Sequence, residues 1–201
     1  MTARVAVLIS GSGSNLQALL DAATGDYPAR IVQVISNRPG VLGLDRAAAA
    51  RVRARVVDHK AYGGREPFEA ALTAALEEVD PDVICLAGFM RVLTEGFVRR
   101  WEGRILNIHP SLLPAFRGLH VHARAIDAGV RVSGCTVHVV TPVLDDGPIV
   151  GQAAVPVLPG DTPDTLAGRI LAQEHALYPL ALRRFIEAGP PVTHGEALIS
   201  A

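Results

Sequence analysis

Short apolar runs alternate with amphipathic stretches along the first half of the chain. Each run ends in polar residues or glycine, which is typical of strands buried on both faces of a parallel sheet. Between the runs, apolar residues recur at helical spacing. The predicted strands cover residues 5–9, 31–35, 55–57, 83–87 and 104–108, and the predicted helices cover 14–20, 42–51, 66–79 and 94–100. This order predicts an α/β fold: an open, mostly parallel Rossmann-like sheet with helices on both faces.

The pattern changes in the second half of the chain. Extended stretches at residues 137–140 and 148–157 are separated by turn-forming residues and predict an antiparallel C-terminal addition to the sheet. A long amphipathic helix is predicted at residues 162–186, with a proline in its first turn, where proline fits best. The strand pattern therefore becomes antiparallel before the chain ends in a helix.

Length and composition fit one domain. The chain has 201 residues, of which 49% are hydrophobic, and this is enough to form a sizeable core. No repeat or long linker interrupts it. We expect a single domain over residues 1–201, with an N-terminal half of about 1–100, a C-terminal half of about 101–188 and a surface tail at 189–201.

Charge and cysteine usage exclude several classes of function. The formal net charge is −1 and no run of five like charges occurs, which argues against a nucleic-acid-binding face. The first apolar stretch is too short for a signal sequence, and no segment reaches the length of a membrane span. Cys85 and Cys135 each lie in an apolar run, as expected of buried thiols in a reducing compartment. We therefore expect a cytoplasmic protein with neither nucleic acid nor membrane as a partner.

A glycine-rich segment follows the first predicted strand. Residues 11–15, Gly-Ser-Gly-Ser-Asn, lead into a predicted helix, so backbone N–H groups and the helix dipole favour an anion there. A dinucleotide fingerprint would need glycine at position 16, which is Leu16, and an acid after the second strand, where Ser36 and Asn37 stand. A phosphate monoester fits better, and a plain glycine turn is the alternative.

Asn107 and His109 lie two residues apart at the end of a predicted strand. Their side chains point the same way, at the edge where open α/β sheets bind ligands. An amide donor and an imidazolium can together stabilise the oxyanion of an acyl transfer. A structural role for His109 is the alternative. Asp145 reads locally as an ordinary turn residue, because spacing alone does not bring it to His109.

Other combinations of residues are weaker candidates for chemistry. His120, His122 and His138 could suggest a metal, but their spacing lacks the cysteine or carboxylate support of most zinc sites. We expect no metal and leave the roles of these histidines open. Ser111 has no nucleophile-elbow motif around it, and Cys135 lies within an apolar run, so neither is expected to act as a nucleophile.

Several motifs together resemble the phosphoribosylglycinamide formyltransferase family. They are Gly-Ser-Gly-Ser-Asn-Leu at 11–16, Leu-Ala-Gly-Phe-Met-Arg-Val-Leu at 86–93, Leu-Asn-Ile-His-Pro-Ser-Leu-Leu-Pro at 106–114, Leu-Asp-Asp-Gly-Pro at 144–148 and Gln-Glu-His at 173–175. The resemblance runs from about residue 4 to 186. It implies transfer of a formyl group from 10-formyltetrahydrofolate to the amine of glycinamide ribonucleotide in purine biosynthesis. It implies no metal and is compatible with a homodimer.

The resemblance also implies roles for individual residues. The catalytic residues would be Asn107, His109 and Asp145. Glycinamide ribonucleotide would contact Gly13, Ser14, Asn15 and Glu174. The folate would contact Arg65, Met90, Arg91, Val92, Leu93, Asn107, Thr141, Val143, Leu144 and Asp145. The chain departs from the family pattern at residues 115–118, Ala-Phe-Arg-Gly where Lys-Tyr-Pro-Gly is frequent, at Pro142, and at Asp146, where glycine is frequent.

Other functions remain open at this point. A 10-formyltetrahydrofolate hydrolase shares the transfer motif but would not need a phosphate loop at residues 11–15. A formyltransferase that acts on initiator tRNA normally carries a basic C-terminal domain, for which the sequence offers no candidate. A non-catalytic, phosphate-binding Rossmann-like module would explain the glycine segment but would leave Asn107 and His109 without a role.

Overall fold

A computed structural model describes residues 2–189 and 198–200 of the chain. The chain divides into two compact units, residues 1–106 and 107–201. No helix within the described residues is both long enough and apolar enough to cross a membrane.

The first unit alternates strands and helices. Its four strands are hydrogen-bonded in the order β3-β2-β1-β4, and every pair is parallel. Residues 5–9 of β1 are fully buried, which explains why the central strand reads as a continuous apolar run. The elements are β1 Ala3–Ile9, α1 Ser14–Ala22, β2 Ala29–Ser36, α2 Leu42–Ala49, β3 Ala54–Val56, a 3₁₀ turn at His59–Ala61, α3 Arg65–Glu77, β4 Val83–Leu86 and α4 Glu95–Arg100.

The second unit carries the antiparallel addition. β6 pairs with β7 in antiparallel orientation, and β7 pairs with β8 in parallel orientation. The elements are β5 Ile105–His109, which begins in the first unit, α5 Val121–Asp127, β6 Val132–Val139, β7 Ile149–Pro156, α6 Pro163–Ala188 and β8 Leu198–Ser200. The predicted fold class, mostly parallel α/β with an antiparallel C-terminal addition, is confirmed.

Four elements differ from the sequence-based prediction. One is the 3₁₀ turn at His59–Ala61, which was not predicted. Helix α5 was not predicted, because its seven residues are too few to establish a helical period. Strand β6 begins at Val132 rather than residue 137. Its first half includes Gly134, where a Cβ would lie 1.9 Å from the carbonyl oxygen of Ala153 on β7. Strand β8 was not predicted either, since residues 189–201 were expected to form a surface tail; residues 190–197 and 201 of that tail lie outside the described residues.

Candidate active site

The glycine segment at residues 11–15 connects β1 to the first turn of α1. Gly13 has a φ of 69°, a left-handed conformation that suits glycine, and a Cβ there would lie 2.7 Å from Cα of Gly43. Ser14 opens α1, and Asn15 is buried in its first turn. The three residues expected to bind the ribose phosphate therefore share one helix N-terminus, where N–H groups and the helix dipole favour an anion.

The segment expected to bind folate, residues 90–93, follows β4 and is held at both ends by buried polar side chains. At one end, the backbone N of Met90 donates to Oγ of Ser10 over 2.7 Å. At the other, the backbone N of Thr94 donates to Oε1 of Glu69 over 2.8 Å. Ser10 and Glu69 are both buried, whereas Met90 is 72% exposed. The segment thus exposes the apolar side chain of Met90 on a backbone that hydrogen bonds fix at both ends.

The other expected folate contacts of the first unit differ in their surroundings. Arg65 is exposed in the first turn of α3. Val92 is exposed and Leu93 is half-buried. Nε of Arg91 is buried and has no hydrogen-bond partner within residues 2–189 and 198–200. A buried donor without a partner is energetically costly.

His109 closes β5 and is buried. Its Nε2 lies 3.1 Å from the carbonyl oxygen of Phe116. A carbonyl can only accept, so Nε2 carries a proton and donates it. Nδ1 lies 3.5 Å from Oδ2 of Asp145. A proton added to the neutral ring therefore goes to Nδ1, the atom that faces the carboxylate.

Asp145 lies between two imidazole rings. Its Oδ2 faces His109 and accepts a hydrogen bond from the backbone N of Gly118 over 2.8 Å. Its Oδ1 lies 3.8 Å from Nε2 of His138. Asp145 has a φ of 49°, a left-handed conformation that costs about 1 kcal/mol for a residue with a Cβ. The turn holds the Asp145 carboxylate in place despite this cost. It brings Asp145 to His109, a contact that sequence spacing could not predict.

His138 determines which way the amide of Asn107 points. Nδ1 of His138 lies 3.1 Å from the carbonyl oxygen of Val139 and so donates to it. Burial lowers the pKa of His138, while the hydrogen bond to Val139 and the charge of Asp145 act to raise it. The neutral ring then accepts at Nε2, which lies 3.2 Å from Nδ2 of Asn107. Because Nδ2 has two hydrogens, the second is left for a ligand oxygen.

A buried network supports the segment that follows His109. Oγ1 of Thr136 on β6 donates to the carbonyl of Ser111 over 2.7 Å and accepts from the backbone N of Leu113 over 3.0 Å. Nε2 of Gln152 on β7 donates to the carbonyl of Leu113 over 2.9 Å. Two antiparallel strands thus fix the chain just beyond the candidate catalytic histidine. The Leu113–Pro114 peptide bond is cis.

The expected folate loop, residues 141–147, includes four of the expected folate contacts and is partly exposed. Oγ1 of Thr141 donates to the carbonyl of Val143 over 3.2 Å, and the side chains of Val143 and Leu144 are exposed. The loop ends at Gly147, where a Cβ would lie 1.6 Å from the carbonyl oxygen of Val139. Only glycine fits there without a backbone shift.

Two departures from the family pattern meet each other. Arg117 forms an ion pair with Asp146, which joins the 115–118 segment to the expected folate loop. In the same segment, Phe116 and Gly118 form their hydrogen bonds to His109 and Asp145 through backbone atoms. Changes of side chain at residues 115–118 are therefore compatible with the same hydrogen bonds.

Glu174, expected to contact the ribonucleotide, is buried on α6. It lies close enough to Cys135 of β6 for its charge to affect the pKa of that thiol. Burial, with a contribution from the charge of Glu174, raises the pKa of Cys135 to about 12. Cys135 is therefore protonated at neutral pH, in keeping with its expected lack of nucleophilic character.

Known proteins resemble the chain over most of its length. The formyl transferase family model matches residues 3–182. Phosphoribosylglycinamide formyltransferase of Escherichia coli is 44% identical over 184 residues, which cover 91% of this chain and 87% of that protein. The chain belongs to the phosphoribosylglycinamide formyltransferase family. The trifunctional purine biosynthetic protein adenosine-3 of Bos taurus is 53% identical over 182 residues, but the chain spans only 18% of its length.

Solved structures of the phosphoribosylglycinamide formyltransferase family show the same fold. Glycinamide ribonucleotide transformylase 1 from Symbiobacterium toebii is 52% identical, with a TM-score of 0.90, and the match covers 93% of this chain and 89% of that one. Phosphoribosylglycinamide formyltransferase from Coxiella burnetii is 39% identical, with a TM-score of 0.91, over 100% of both chains.

The three histidines whose roles were left open lie in different environments. His138 uses both ring nitrogens in hydrogen bonds. Burial lowers the pKa of His122, followed by the charge of His109, while Asp164 acts to raise it. His120 is exposed. The described residues contain no group of three histidine, cysteine, aspartate or glutamate side chains that could hold a metal.

Sequence reasoning missed the supporting residues Thr136 and His138. They are two apart on β6, so their side chains share one face of the strand. The polar pair was hidden because the predicted strand began at residue 137. A predicted strand that began at Val132 would have placed Thr136 and His138 on one face of β6. From that face, Thr136 hydrogen-bonds to Ser111 and His138 to Asn107.

Proposed function

We propose that the chain transfers the formyl group of 10-formyltetrahydrofolate to the amine of glycinamide ribonucleotide. It would do so in the cytoplasm, as a single formyltransferase domain acting on small-molecule substrates in de novo purine biosynthesis. The observation that carries this proposal is the buried contact of His109 with Asp145, next to an Asn107 amide of fixed orientation. Family membership supports the choice of donor and acceptor.

The proposed reaction begins when the amine of the ribonucleotide attacks the formyl carbon held on N10 of the folate. The carbonyl oxygen becomes an oxyanion as the tetrahedral intermediate forms. The free hydrogen on Nδ2 of Asn107 and the hydrogen on Nδ1 of protonated His109 would donate to that oxygen. The attacking nitrogen then loses a proton, N10 gains one, and the C–N10 bond breaks.

The geometry of Asp145 suits support of the charged imidazole. At 3.5 Å, the Nδ1–Oδ2 distance permits strong electrostatic attraction but is longer than an ordinary hydrogen bond. The Nδ1 proton is thus not fully engaged by the carboxylate and can be shared with a substrate oxygen. The backbone N–H of Gly118 fixes the carboxylate from the other side.

Binding residues are proposed from the family resemblance and their local surroundings. Gly13, Ser14 and Asn15 would bind the phosphate, and Glu174 the glycinamide part. The folate would contact Asn107, Asp145 and the remaining expected residues, which are Arg65, Met90, Arg91, Val92, Leu93, Thr141, Val143 and Leu144. The proposed step requires no metal, because Asn107 and His109 would stabilise the oxyanion.

One assay tests the proposal. Protein is mixed with 10-formyltetrahydrofolate, and deformylation of the folate is followed with and without glycinamide ribonucleotide. Turnover should require the ribonucleotide, and His109→Ala should reduce kcat by about 100-fold or more. His120→Asn serves as the matched control, because His120 is exposed and its φ of 56° suits asparagine. It should behave as the unaltered chain.

The assay also separates the alternatives. Turnover without the ribonucleotide would identify a hydrolase, and no turnover under either condition would favour a binding module. Full activity of His109→Ala would remove the proposed mechanism.

A further inference from the structure

Three consecutive carbonyl groups of the glycine segment, those of Gly11, Ser12 and Gly13, each accept a hydrogen bond. The carbonyl of Gly11 accepts from the backbone N of Gly43 on α2, over 3.1 Å. The carbonyl of Ser12 accepts from Nε of Arg46, also on α2, over 2.9 Å. The carbonyl of Gly13 accepts from the backbone N of Gln17 on α1, over 2.9 Å.

These bonds determine where the next N–H groups point. In a trans peptide, the N–H of one residue points opposite to the carbonyl of the residue before it. The N–H groups of Ser12 and Gly13 therefore point away from α2. By the same reasoning, the N–H of Ser14 points out of the N-terminal end of α1. A left-handed residue such as Gly13 within a run of N–H groups is typical of anion-binding backbone concavities.

The contribution of Arg46 comes from its side chain and can be removed without altering the backbone. Besides its bond to Ser12, Nη1 of Arg46 donates to Oε1 of Gln17 over 3.1 Å. Nε2 of Gln17 in turn donates to Oδ1 of Asp21 over 2.7 Å. The guanidinium is thus held between α2 and α1, and it places a permanent positive charge against the segment.

Close packing leaves the segment little freedom to turn otherwise. A Cβ on Gly43 would lie 2.5 Å from Cδ1 of Ile9 and 3.1 Å from the carbonyl oxygen of Gly11. The absence of a side chain at Gly43 is what allows α2 to approach the segment and to place Arg46 over Ser12.

We infer that Arg46 is a positioning residue for the phosphate of the ribonucleotide. It turns the peptide between Ser12 and Gly13 so that its N–H faces the phosphate, and its charge favours the dianion. This inference rests on the proposed function, because it assigns the phosphate to the glycine segment. The inferred role of Arg46 does not involve the formyl-transfer step, so loss of Arg46 should weaken binding of phosphorylated ligands and leave folate binding unchanged.

The test uses the full chain with Arg46→Met, which keeps the stem and removes the guanidinium. Ribose 5-phosphate binding is measured by titration calorimetry, and KM is measured for both substrates. We expect the Kd of ribose 5-phosphate and the KM of the ribonucleotide to rise by about 10- to 100-fold, as for loss of a charged hydrogen-bond donor. The KM of the folate and kcat should stay within about twofold.

Two further variants make the result specific. Arg46→Lys keeps the charge but not the planar fork, so it should recover part of the affinity and carries the test if Arg46→Met does not fold. Arg30→Met is the matched control. Arg30 is exposed on β2 and pairs in register with Arg4, at the amino-terminal edge of the parallel sheet, opposite to the glycine segment. It should bind as the unaltered chain does.

The outcomes separate this inference from the proposed function. Unchanged ribose 5-phosphate binding in Arg46→Met would overturn the inference. Equal increases in the KM values of the folate and the ribonucleotide would also overturn it. So would an unaltered chain that does not bind ribose 5-phosphate. Selective weakening by Arg46→Met supports it. If that weakening occurs in a chain that does not formylate the ribonucleotide, the phosphate site stands and the proposed function fails.

Discussion

Nδ1 of His109 lies 3.5 Å from Oδ2 of Asp145, and both side chains are more than nine-tenths buried. Asp145 follows His109 by 36 positions in the sequence, and no local sequence motif indicates that the two side chains meet. Their contact places a carboxylate beside the ring atom that receives the added proton. When the ring is protonated, its attraction to the carboxylate is screened by little water, because both side chains are buried.

Asp145→Asn should reduce kcat by about 100-fold or more, the range seen when a group that supports general acid–base chemistry is lost. The amide can still accept the hydrogen bond from Gly118, so the turn should persist, while the negative charge beside His109 is gone. Steady-state kinetics with both substrates measure the loss. A thermal midpoint close to that of the unaltered chain would show that the fold is intact, and near-normal kcat would remove Asp145 from the mechanism.

His138→Phe should reduce kcat by about tenfold or more, because Asn107 loses the acceptor that orients its amide. Phenylalanine retains most of the ring volume, so the core of β6 remains filled. The test is a double-mutant cycle with Asn107→Ala. If His138 acts through Asn107, it should cost little further activity once Asn107 is removed. Additive losses would show that the two residues act independently.

The periodicity of apolar residues predicted most of the fold. Apart from α5, the start of β6, β8 and the short 3₁₀ turn, the observed bounds differ from the predicted ones by at most two residues at either end. Long elements with one buried face show that face in the sequence. Short elements such as α5 contain too few residues to show a period, and their position depends on tertiary packing.

The candidate site also contains residues that the sequence could predict and residues that it could not. Asn107 and His109 could be paired from the sequence because both lie on one strand at the spacing of a shared face. The approach of Asp145 to His109 depends on how β6, its turn and the 115–118 segment pack, and no local pattern encodes that. The importance of Phe116 and Gly118 was also hidden, since both contribute backbone atoms, which every sequence has.

Stability should fall as the pH is lowered below 6.5. Burial lowers the pKa of both His138 and His122 from the ordinary value of 6.5. Below 6.5, the unfolded chain therefore binds protons that the folded chain does not. The stability that the neutral rings provide is complete above 6.5 and is lost progressively as the pH falls towards the lowered values. Urea unfolding at a series of pH values measures the slope.

His122→Leu should reduce that slope, because it removes one of the two titrating rings. The Nε2 atom of His122 has no hydrogen-bond partner among the residues that the structure describes, so the substitution does not break a bond at that atom. A slope that is the same in the variant and in the unaltered chain would contradict the assignment of this pH dependence to His122.

Gly147→Ala and Gly168→Ala should shift stability in opposite directions. At Gly147, the new Cβ would lie 1.6 Å from the carbonyl oxygen of Val139, and relief requires a backbone shift that we expect to cost about 3 kcal/mol. At Gly168, exposed in the second turn of α6, a Cβ meets nothing within 4 Å. Alanine there should stabilise the helix by about 0.5–1 kcal/mol. Urea unfolding compares the two, and equal losses would show that steric contact does not decide the outcome.

Ser10→Ala should raise the KM of the folate by about three- to tenfold, with little change in the KM of the ribonucleotide. The backbone N of Met90 donates to Oγ of Ser10, which itself donates to Oδ1 of Asn37 over 2.6 Å. Alanine leaves both Met90 and Asn37 without that buried partner, so residues 90–93 lose one of their two anchors. Glu69→Gln is the companion variant, because glutamine can still accept from Thr94 and should have the smaller effect. Steady-state kinetics for both substrates provide the measurement. Equal increases in the two KM values would indicate a general loosening of the unit rather than displacement of the folate segment.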